Sequence, residues 1–260
     1  MMGALWTAAT GMRAQQTNID ITSNNLANAN TVGFKKVRAE FKDLMYRTAK
    51  QAGTPMQSGT QMPVGTQIGM GVHNSATARM FSQGDFQQTG ENLDWVIEGE
   101  GFFQIQQPDG TIAYTRDGSF KRDGNGQVVT SDGLLLSPQI TLPPNASNLA
   151  VTPEGTVTVM VNNNVTTVGQ VTLARFINPA GLTAIGKNLF VPTPASGDPQ
   201  ITNPNVDGMG TIAMGYIEMS NVKVVEEMIN LIIAQRAYEA NSKSVQTSDE
   251  MLGMANNLRR

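Results

Sequence analysis

Residues 20–36 read DITSNNLANANTVGFKK and place four asparagines within seven residues of a segment that otherwise looks helical. Asparagine is a poor residue for the interior of a helix, because its side chain competes for nearby backbone groups. Asn30 and Gly33 are typical of the end of a helix, where a left-handed residue lets the chain leave. The stretch therefore predicts the end of a helix near residue 33, with amides that need hydrogen-bond partners.

The segment that precedes these asparagines has an apolar residue at every seventh position. Residues 2–29 contain no proline, and Arg13 and Asp20 are their only charged residues. A single helix in water normally carries more charge on its outer face. The seven-residue spacing is that of a coiled coil. The apolar row consists of Leu5, Met12, Ile19 and Leu26, and its softer partner row of Ala8, Gln15 and Thr22.

The C-terminal segment, residues 221–260, has the same character and contains no proline and a single glycine. A helix of about 38 residues would be roughly 57 Å long at 1.5 Å per residue, which favours a rod-like element. Ser220 or Asn221 is the predicted N-cap, and Glu226 and Glu227 suit the positive end of the helix dipole. The apolar row is Val224, Leu231, Tyr238, Val245 and Leu252, and the predicted partner row is Met228, Gln235, Ser242 and Asp249.

Between the two helical segments the chain is rich in glycine and in residue pairs that favour tight turns. These pairs are Asp109-Gly110, Asp117-Gly118, Asp123-Gly124, Asn125-Gly126 and Asp132-Gly133. Short β-type runs begin at Phe102, Ile112, Gln127, Thr156 and Val171. Turn signals at this spacing indicate an all-β domain, which we place at about residues 81–217.

The predicted fold class is therefore α+β, in more than one domain. Residues 1–33 and 218–260 are expected to pair as a coiled-coil-like helical domain through their apolar rows, and residues 34–80 to form a linker. Within this linker, residues 46–71 read YRTAKQAGTPMQSGTQMPVGTQIGMG and show little periodicity. An isolated segment of this composition is flexible, so we expect an extended linker or hairpin here.

Composition excludes several classes of function. The 18 basic and 21 acidic residues give a formal charge of −3 and form no basic cluster, which argues against a nucleic-acid partner. The chain has no cysteine, so disulfides and thiolate metal sites are excluded. No apolar run is long enough to cross a membrane, and no cleavable signal peptide is visible.

The sequence offers no convincing catalytic constellation. The glycines of residues 65–71 lack the Lys-Ser/Thr that a phosphate loop requires. His73 is the only histidine, and no nucleophile motif accompanies it. Glu98 and Glu100 could share one face of a strand, as glycosidase carboxylates do, but they lie in a turn-prone EGEG stretch and are interpreted as solvated. We therefore predict no enzyme activity, no cofactor and no metal.

Three stretches resemble the flagellar rod and hook family of axial proteins. They are SNNLANANTVGFKK at residues 23–36, residues 82–133, and GYIEMSNVKVVEEMINLIIAQRAYEANSKSVQTSDEML at residues 215–252. The resemblance covers nearly the whole chain, with the motifs in the family's order. The positions that match the terminal motifs are Asn24, Asn25, Leu26, Asn28, Thr31, Gly33, Phe34, Gln235, Arg236 and Tyr238.

The resemblance implies a structural role in the bacterial flagellum. The termini would form the inner helical layer of a tube around an export channel, and the β domain the outer layer. Residues 46–71 are similar to the extra stretch found in subunits of the distal rod, where it would stiffen the tube. The residues assigned to this stiffening are Thr54, Pro55, Gly59, Pro63 and Gly65.

The resemblance also implies a location and partners. The chain would leave the cell through the flagellar type III export apparatus, without a cleaved signal, and join a rod that spans the periplasm. Its partners would be copies of itself, proximal rod proteins, hook protein, the rod-cap protein and the surrounding ring proteins. Three alternatives remain open: a proximal rod or hook-type subunit, a cell-wall enzyme acting through Glu98 or Glu100, and a β-sheet ligand-binding module with helical oligomerisation arms.

Overall fold

The computed structural model describes residues 2–53, 63–162 and 164–257 of the chain, and it combines two long helices with many short strands. Helix α1 spans Met2–Ala27 and helix α2 spans Val224–Asn257, with a short 3-10 helix at Pro179–Gly181. The strands are β1 Val37–Asp43, β2 Arg47–Lys50, β3 Thr66–Ile68, β4 Val72–Arg79, β5 Phe86–Gln88, β6 Trp95–Glu98, β7 Phe103–Gln106, β8 Ile112–Thr115, β9 Lys121–Arg122, β10 Val128–Val129, β11 Leu135–Ser137, β12 Ser147–Val151, β13 Thr156–Val161, β14 Asn164–Gln170, β15 Leu173–Arg175, β16 Thr183–Gly186, β17 Leu189–Val191, β18 Gln200–Thr202, β19 Thr211–Met214 and β20 Tyr216–Glu218. The predicted α+β class is confirmed at this level.

The described residues fall into two compact units. The helical unit comprises Met1–Ala27, Val37–Ala78 and Lys223–Arg260, and the β body comprises Asn28–Lys36 and Arg79–Val222. The expected boundaries at residues 33 and 218 both lie inside the β body in this division. Most of the expected linker, residues 37–78, belongs to the helical unit instead.

The segment expected to be a linker is largely paired β structure where it is described. β1 pairs with β4, and β2 pairs antiparallel with β3, with Arg47 opposite Ile68. Pairing satisfies backbone groups that a free linker would leave to water. Each of these two-stranded ribbons pairs a strand that precedes the residues that are not described with a strand that follows them.

Helix α2 begins at Val224, three residues later than the predicted cap at Asn221. The Asn221 side chain is used by the β body instead. Its Oδ1 accepts from the Lys36 backbone N–H at 2.7 Å, and its Nδ2 donates to the carbonyls of Met80 and Ser82 at 2.9 and 3.0 Å. The prediction of an N-cap at Ser220 or Asn221 was wrong, because neither residue directly precedes α2 and the Asn221 side chain is bound by residues remote in sequence.

The β body is built on a seven-stranded antiparallel sheet with the order β16-β17-β8-β7-β11-β10-β9. Each of the five predicted β-type runs contains a strand of the body. At the turn between β7 and β8, Gly110 has φ +84° and its N–H donates to the Gln107 carbonyl at 3.0 Å. This left-handed conformation is one that glycine adopts without steric cost, so the Asp109-Gly110 pair forms a turn as predicted.

The core of the β body is aromatic and aliphatic. Trp95, Phe103 and Phe120 are fully buried, and the Phe120 ring centroid lies 5.2 Å from each of the other two rings. Strand residues such as Ile105 and Leu136, which face each other across β7 and β11, complete this core. The β body therefore has the apolar interior expected of an independently folding unit.

Candidate assembly interface

Helices α1 and α2 pack against each other in antiparallel orientation. Near one end, Asn25 Nδ2 donates to Glu227 Oε2 at 3.2 Å. Near the other, a Cβ added to Gly11 would lie 3.0 Å from Asn241 Nδ2. Asn25 follows Gly11 by fourteen residues, and Asn241 follows Glu227 by fourteen residues, so the two helices run in opposite directions.

The side chains that α2 buries are small or polar. Ala234 and Ser248 are 1% and 3% exposed, Glu227 is 1% exposed, and Asn241, in the same seven-residue row, is half-buried. This row lies one residue before the predicted partner row of Met228, Gln235, Ser242 and Asp249, of which Met228 is 49% exposed. A seam of small residues lets two helices approach closely, and it buries little apolar area.

The predicted apolar rows flank this seam rather than forming a sealed core. On α1, all four members, Leu5, Met12, Ile19 and Leu26, are half-buried. On α2, Leu231, Val245 and Leu252 are half-buried, whereas Val224 and Tyr238 are 39% and 40% exposed. Their proposed role as assembly contacts stays a prediction.

Several large apolar side chains are exposed on the first turns of α2. Val225, Ile229, Ile232 and Ile233 are 70%, 52%, 55% and 61% exposed. Residues three and four apart share one helix face, so these side chains form a continuous patch, which we call the α2 apolar face. Trp6 on α1 is also 66% exposed. Contiguous exposed apolar surface of this kind marks a site for another protein.

Asn25 has the hydrogen-bond partners that the asparagine-rich stretch was predicted to need. It is 1% exposed. Its Nδ2 donates to the Val37 carbonyl at 2.8 Å, and its Oδ1 accepts from the Val37 N–H at 2.9 Å. The amide thus pairs with β1 as a neighbouring strand would, while its second N–H reaches Glu227. This asparagine is a structural connector of the helical unit.

The remaining residues of the N-terminal motif shape the turn after α1. Asn28 Oδ1 accepts from the Thr31 hydroxyl at 3.2 Å, and Gly33, with φ +69°, donates its N–H to the Glu218 carbonyl at 2.8 Å. Phe34 is buried, and the Arg79 guanidinium carbon lies 5.8 Å from the centroid of its ring. Asn24 and Asn30 are exposed. On α2, Gln235 and Arg236 are exposed, and Arg236 is 3.4 Å from Glu239.

Sequence reasoning missed a buried ionic cluster in the β body. Lys35 Nζ lies 2.5 Å from Glu218 Oε1 and donates to the Ser82 carbonyl at 2.7 Å. Arg116 lies 3.6 Å from the other oxygen of Glu218. Burial lowers the pKa of Lys35, and the Glu218 carboxylate opposes this shift. The only local signal for this cluster was a lysine directly after Gly33 and Phe34. The partner of Lys35 could not be recognised, because it lies 183 residues further along the chain.

The residues assigned to rod stiffening are only partly described. Thr54, Pro55 and Gly59 lie outside the described residues. Pro63 is exposed, and Gly65 is packed so closely that an added Cβ would lie 2.7 Å from the Lys50 carbonyl oxygen. The backbones of Gly65 and Lys50 therefore lie close together at the end of the ribbon formed by β2 and β3.

Of the residues considered for chemistry, Glu98 and Glu100 belong to the β body and His73 to the helical unit. Glu98 is exposed at the end of β6 and accepts from the Thr211 hydroxyl at 3.4 Å, and Glu100 is exposed nearby. His73 lines a cavity of about 410 Å³ in the helical unit with Arg13 and Asn74. Within the described parts of the chain, no three acidic or histidine side chains are grouped to hold a metal ion, and no described helix is long and apolar enough to cross a membrane.

Three stretches of the chain match known protein families. Residues 5–35 match the flagella basal body rod protein family, residues 96–159 the flagellar hook protein FlgE/F/G D1 domain, and residues 213–258 the flagellar basal body rod FlgEFG protein C-terminal family. The matches fall on α1 with its exit turn, on the β body, and on α2.

Curated relatives extend the similarity over the full length. The flagellar basal-body rod protein FlgG of Borreliella burgdorferi is 53% identical, with all of both chains covered. FlgG of Caulobacter vibrioides is 47% identical over 99% of this chain and all of the relative. The chain belongs to the FlgG family of flagellar basal-body rod proteins.

Membership of the FlgG family makes the chain a structural subunit of the distal rod. As an axial protein of the rod and hook type, it assembles with copies of itself and with other axial proteins. A flagellar hook protein FlgE of Helicobacter mustelae is 42% identical, but over only 52% of this chain and 30% of the relative. The hook-type alternative is therefore not favoured, and the relatives carry names of structural proteins.

Proposed function

We propose that copies of this chain polymerise through the helical unit into a rigid helical tube that encloses an export channel and transmits torque to the hook. The observation that carries this proposal is the α2 apolar face, where Ile229, Ile232 and Ile233 are each more than half exposed. Burying the exposed part of each side chain against a neighbouring copy contributes about half of the 1.5–3 kcal/mol that full burial provides. The polar seam between α1 and α2 leaves this apolar surface available for that purpose.

The β body takes the outer position in this proposal. It already buries Trp95, Phe103 and Phe120 without a neighbour, so it needs no apolar contact with other copies to be stable. Residues 46–71 add contacts between neighbouring copies and stiffen the tube. The support for this role is the ribbon of β2 and β3, which presents Val64 and Tyr46 at 74% and 54% exposure.

The proposal extends to export and to the axial partners. The chain leaves the cell unfolded through the flagellar type III export apparatus without a cleaved signal, and its helices complete their packing when it joins the rod. It sits between proximal rod proteins and hook protein, grows beneath the rod-cap protein, and turns within ring proteins in the periplasm. The absence of cysteine in all 260 residues suits passage through an oxidising compartment.

Electron microscopy of basal bodies from cells that lack this chain tests the proposal. We expect a short proximal rod without distal segment or hook. A complete rod that lacks only the hook would assign the chain to another axial position. An intact basal body would overturn the structural role, and the exposed acids Glu98 and Glu100 would then be tested for wall-cleaving activity.

A further inference from the structure

We propose that Asn25 and Glu227 form a register lock, a buried pair that holds α1 and α2 in a single antiparallel alignment and so positions the helical unit for assembly. Both side chains are 1% exposed and belong to the same unit. The inference concerns the helix pair itself, and it rests on the proposed function only for its consequence in cells.

The apolar rows of the two helices do not by themselves define one alignment. Leu5, Met12, Ile19 and Leu26 repeat every seven residues, as do Leu231, Tyr238, Val245 and Leu252. A shift of one helix by seven residues therefore sets apolar side chains against apolar side chains again. In coiled coils, a single buried polar residue removes this ambiguity, at some cost in stability.

Asn25 is such a buried polar residue, and both N–H groups and the oxygen of its amide form hydrogen bonds. Its two N–H groups reach the Val37 carbonyl at 2.8 Å and Glu227 Oε2 at 3.2 Å, and its oxygen accepts from the Val37 N–H at 2.9 Å. One side chain thus joins α1, β1 and α2. A seven-residue shift of α2 separates the amide from the carboxylate and leaves Glu227 buried without this donor, which is costly.

A second contact fixes the same alignment at a distance. Gly11 and Asn241 meet fourteen residues from the lock on each helix, about 21 Å along the axis at 1.5 Å per residue. An added Cβ at position 11 would already lie 3.0 Å from the Asn241 amide. The shifted alignments bring Gly11 opposite Ala234 or Ser248 instead, so position 11 reports the register.

The cysteine-free chain allows a direct test by disulfide trapping. The full chain carrying Gly11→Cys and Asn241→Cys reports the observed alignment. Gly11→Cys with Ala234→Cys, and Gly11→Cys with Ser248→Cys, report alignments shifted by seven residues. We expect the first pair to cross-link efficiently under mild oxidation and the two shifted pairs to cross-link poorly.

The lock itself is tested by adding Asn25→Asp to these reporters. This substitution places two carboxylates side by side, and we expect the yield of the 11–241 cross-link to fall about tenfold, the change that ~1.4 kcal/mol produces. Adding Glu227→Gln removes the repulsion and supplies an amide donor, so the double variant should recover most of the yield. Gln16→Glu, the same amide-to-carboxylate change on an exposed side chain of α1, is the matched control and should leave the yield unchanged.

Two further readouts separate the lock from general loss of folding. Fluorescence of the buried Trp95, in a Trp6→Phe background, reports whether the β body is intact. In cells, swimming should be lost with Asn25→Asp and regained with Asn25→Asp/Glu227→Gln. An unchanged 11–241 yield with Asn25→Asp, or no recovery with Glu227→Gln while Trp95 fluorescence stays native, would overturn the lock. Either result would leave the rod proposal standing, since that depends on the micrographs of cells lacking the chain.

Discussion

The helical unit and the β body place their residues in opposite ways. The β body encloses Trp95, Phe103 and Phe120 completely. The helical unit encloses Asn25 and Glu227 and leaves Ile229, Ile232 and Ile233 exposed. Hydrophobic burial is the main favourable term in folding, so the two units differ in how much of it they obtain from a single copy of the chain.

This difference explains how one chain can be both a folded subunit and a polymer component. The β body obtains its stability internally and gives each copy a defined shape. On the proposed function, the helical unit keeps its apolar area for neighbouring copies, and its buried polar groups decide which helix face meets which. Substitutions in the two units should therefore differ in their effect on the free energy of unfolding of the monomer, and those in the core of the β body should have the largest effect.

Phe103→Ala should have the largest effect. Its ring is fully buried and lies 5.2 Å from the Phe120 centroid. Removing a buried phenylalanine side chain lowers the free energy of unfolding by about 3–5 kcal/mol, as measured by urea denaturation followed by Trp95 fluorescence. Ile177→Ala, at a position that is 80% exposed, should change it by less than about 0.5 kcal/mol. Equal effects would contradict an internally stabilised β body.

Lys35→Met should destabilise the β body somewhat less. It leaves the Glu218 carboxylate buried without its closest partner, although Arg116 remains at 3.6 Å. Breaking a buried ion pair from one side costs about 3 kcal/mol, measurable by the same denaturation. Lys121→Met, on an exposed strand residue, is the control. A loss no larger than that of Lys121→Met would mean that the cluster does not stabilise the fold.

Gly11→Leu should disturb the helical unit and spare the β body. The new side chain would overlap the Asn241 amide in the helix seam, and overpacking of this kind costs about 1–3 kcal/mol. In a Trp6→Phe background, circular dichroism at 222 nm should show earlier loss of helix in urea, while Trp95 fluorescence keeps its midpoint. Gly3→Leu is the matched control, because an added Cβ there meets nothing within 4 Å. Equal helix midpoints for the two variants would contradict a close-packed seam.

Much of the architecture could be predicted from the sequence because it depends on local pattern. The heptad rows and the absence of proline located both helices, and turn pairs such as Asp109-Gly110 located the strand-rich region. Helix ends were less accurate: α2 begins at Val224 because Asn221 is recruited by Lys36, Met80 and Ser82. A cap residue cannot be recognised from sequence when a remote partner competes for it.

The features that depend on remote contacts could not be predicted. The heptad pattern does not reveal that the buried row of α2 contains Glu227 and Ser248 rather than the residues that follow them. Asn25 was singled out by its residue type, but its pairing with Val37 requires the position of β1. The pairing of Lys35 with Glu218 joins residues 183 positions apart. Such contacts are set by tertiary structure, which a single sequence does not encode locally.

The smallest effect on the monomer is expected for Ile229→Asp/Ile233→Asp. Both side chains are more than half exposed, so the free energy of unfolding should change by less than about 0.5 kcal/mol. On the proposed function, however, the same charges are buried against a neighbouring copy in the rod without a partner, which strongly disfavours association. Gln246→Asp, an exposed polar position on α2, is the matched control.

Electron microscopy of basal bodies from cells that carry only the Ile229→Asp/Ile233→Asp chain tests the central claim most directly. The account predicts basal bodies that stop at the proximal rod, beside complete rods in cells carrying Gln246→Asp, although both purified chains unfold at the same urea midpoint. Complete distal rods with the double variant would show that the exposed α2 face is not the surface through which the subunits assemble.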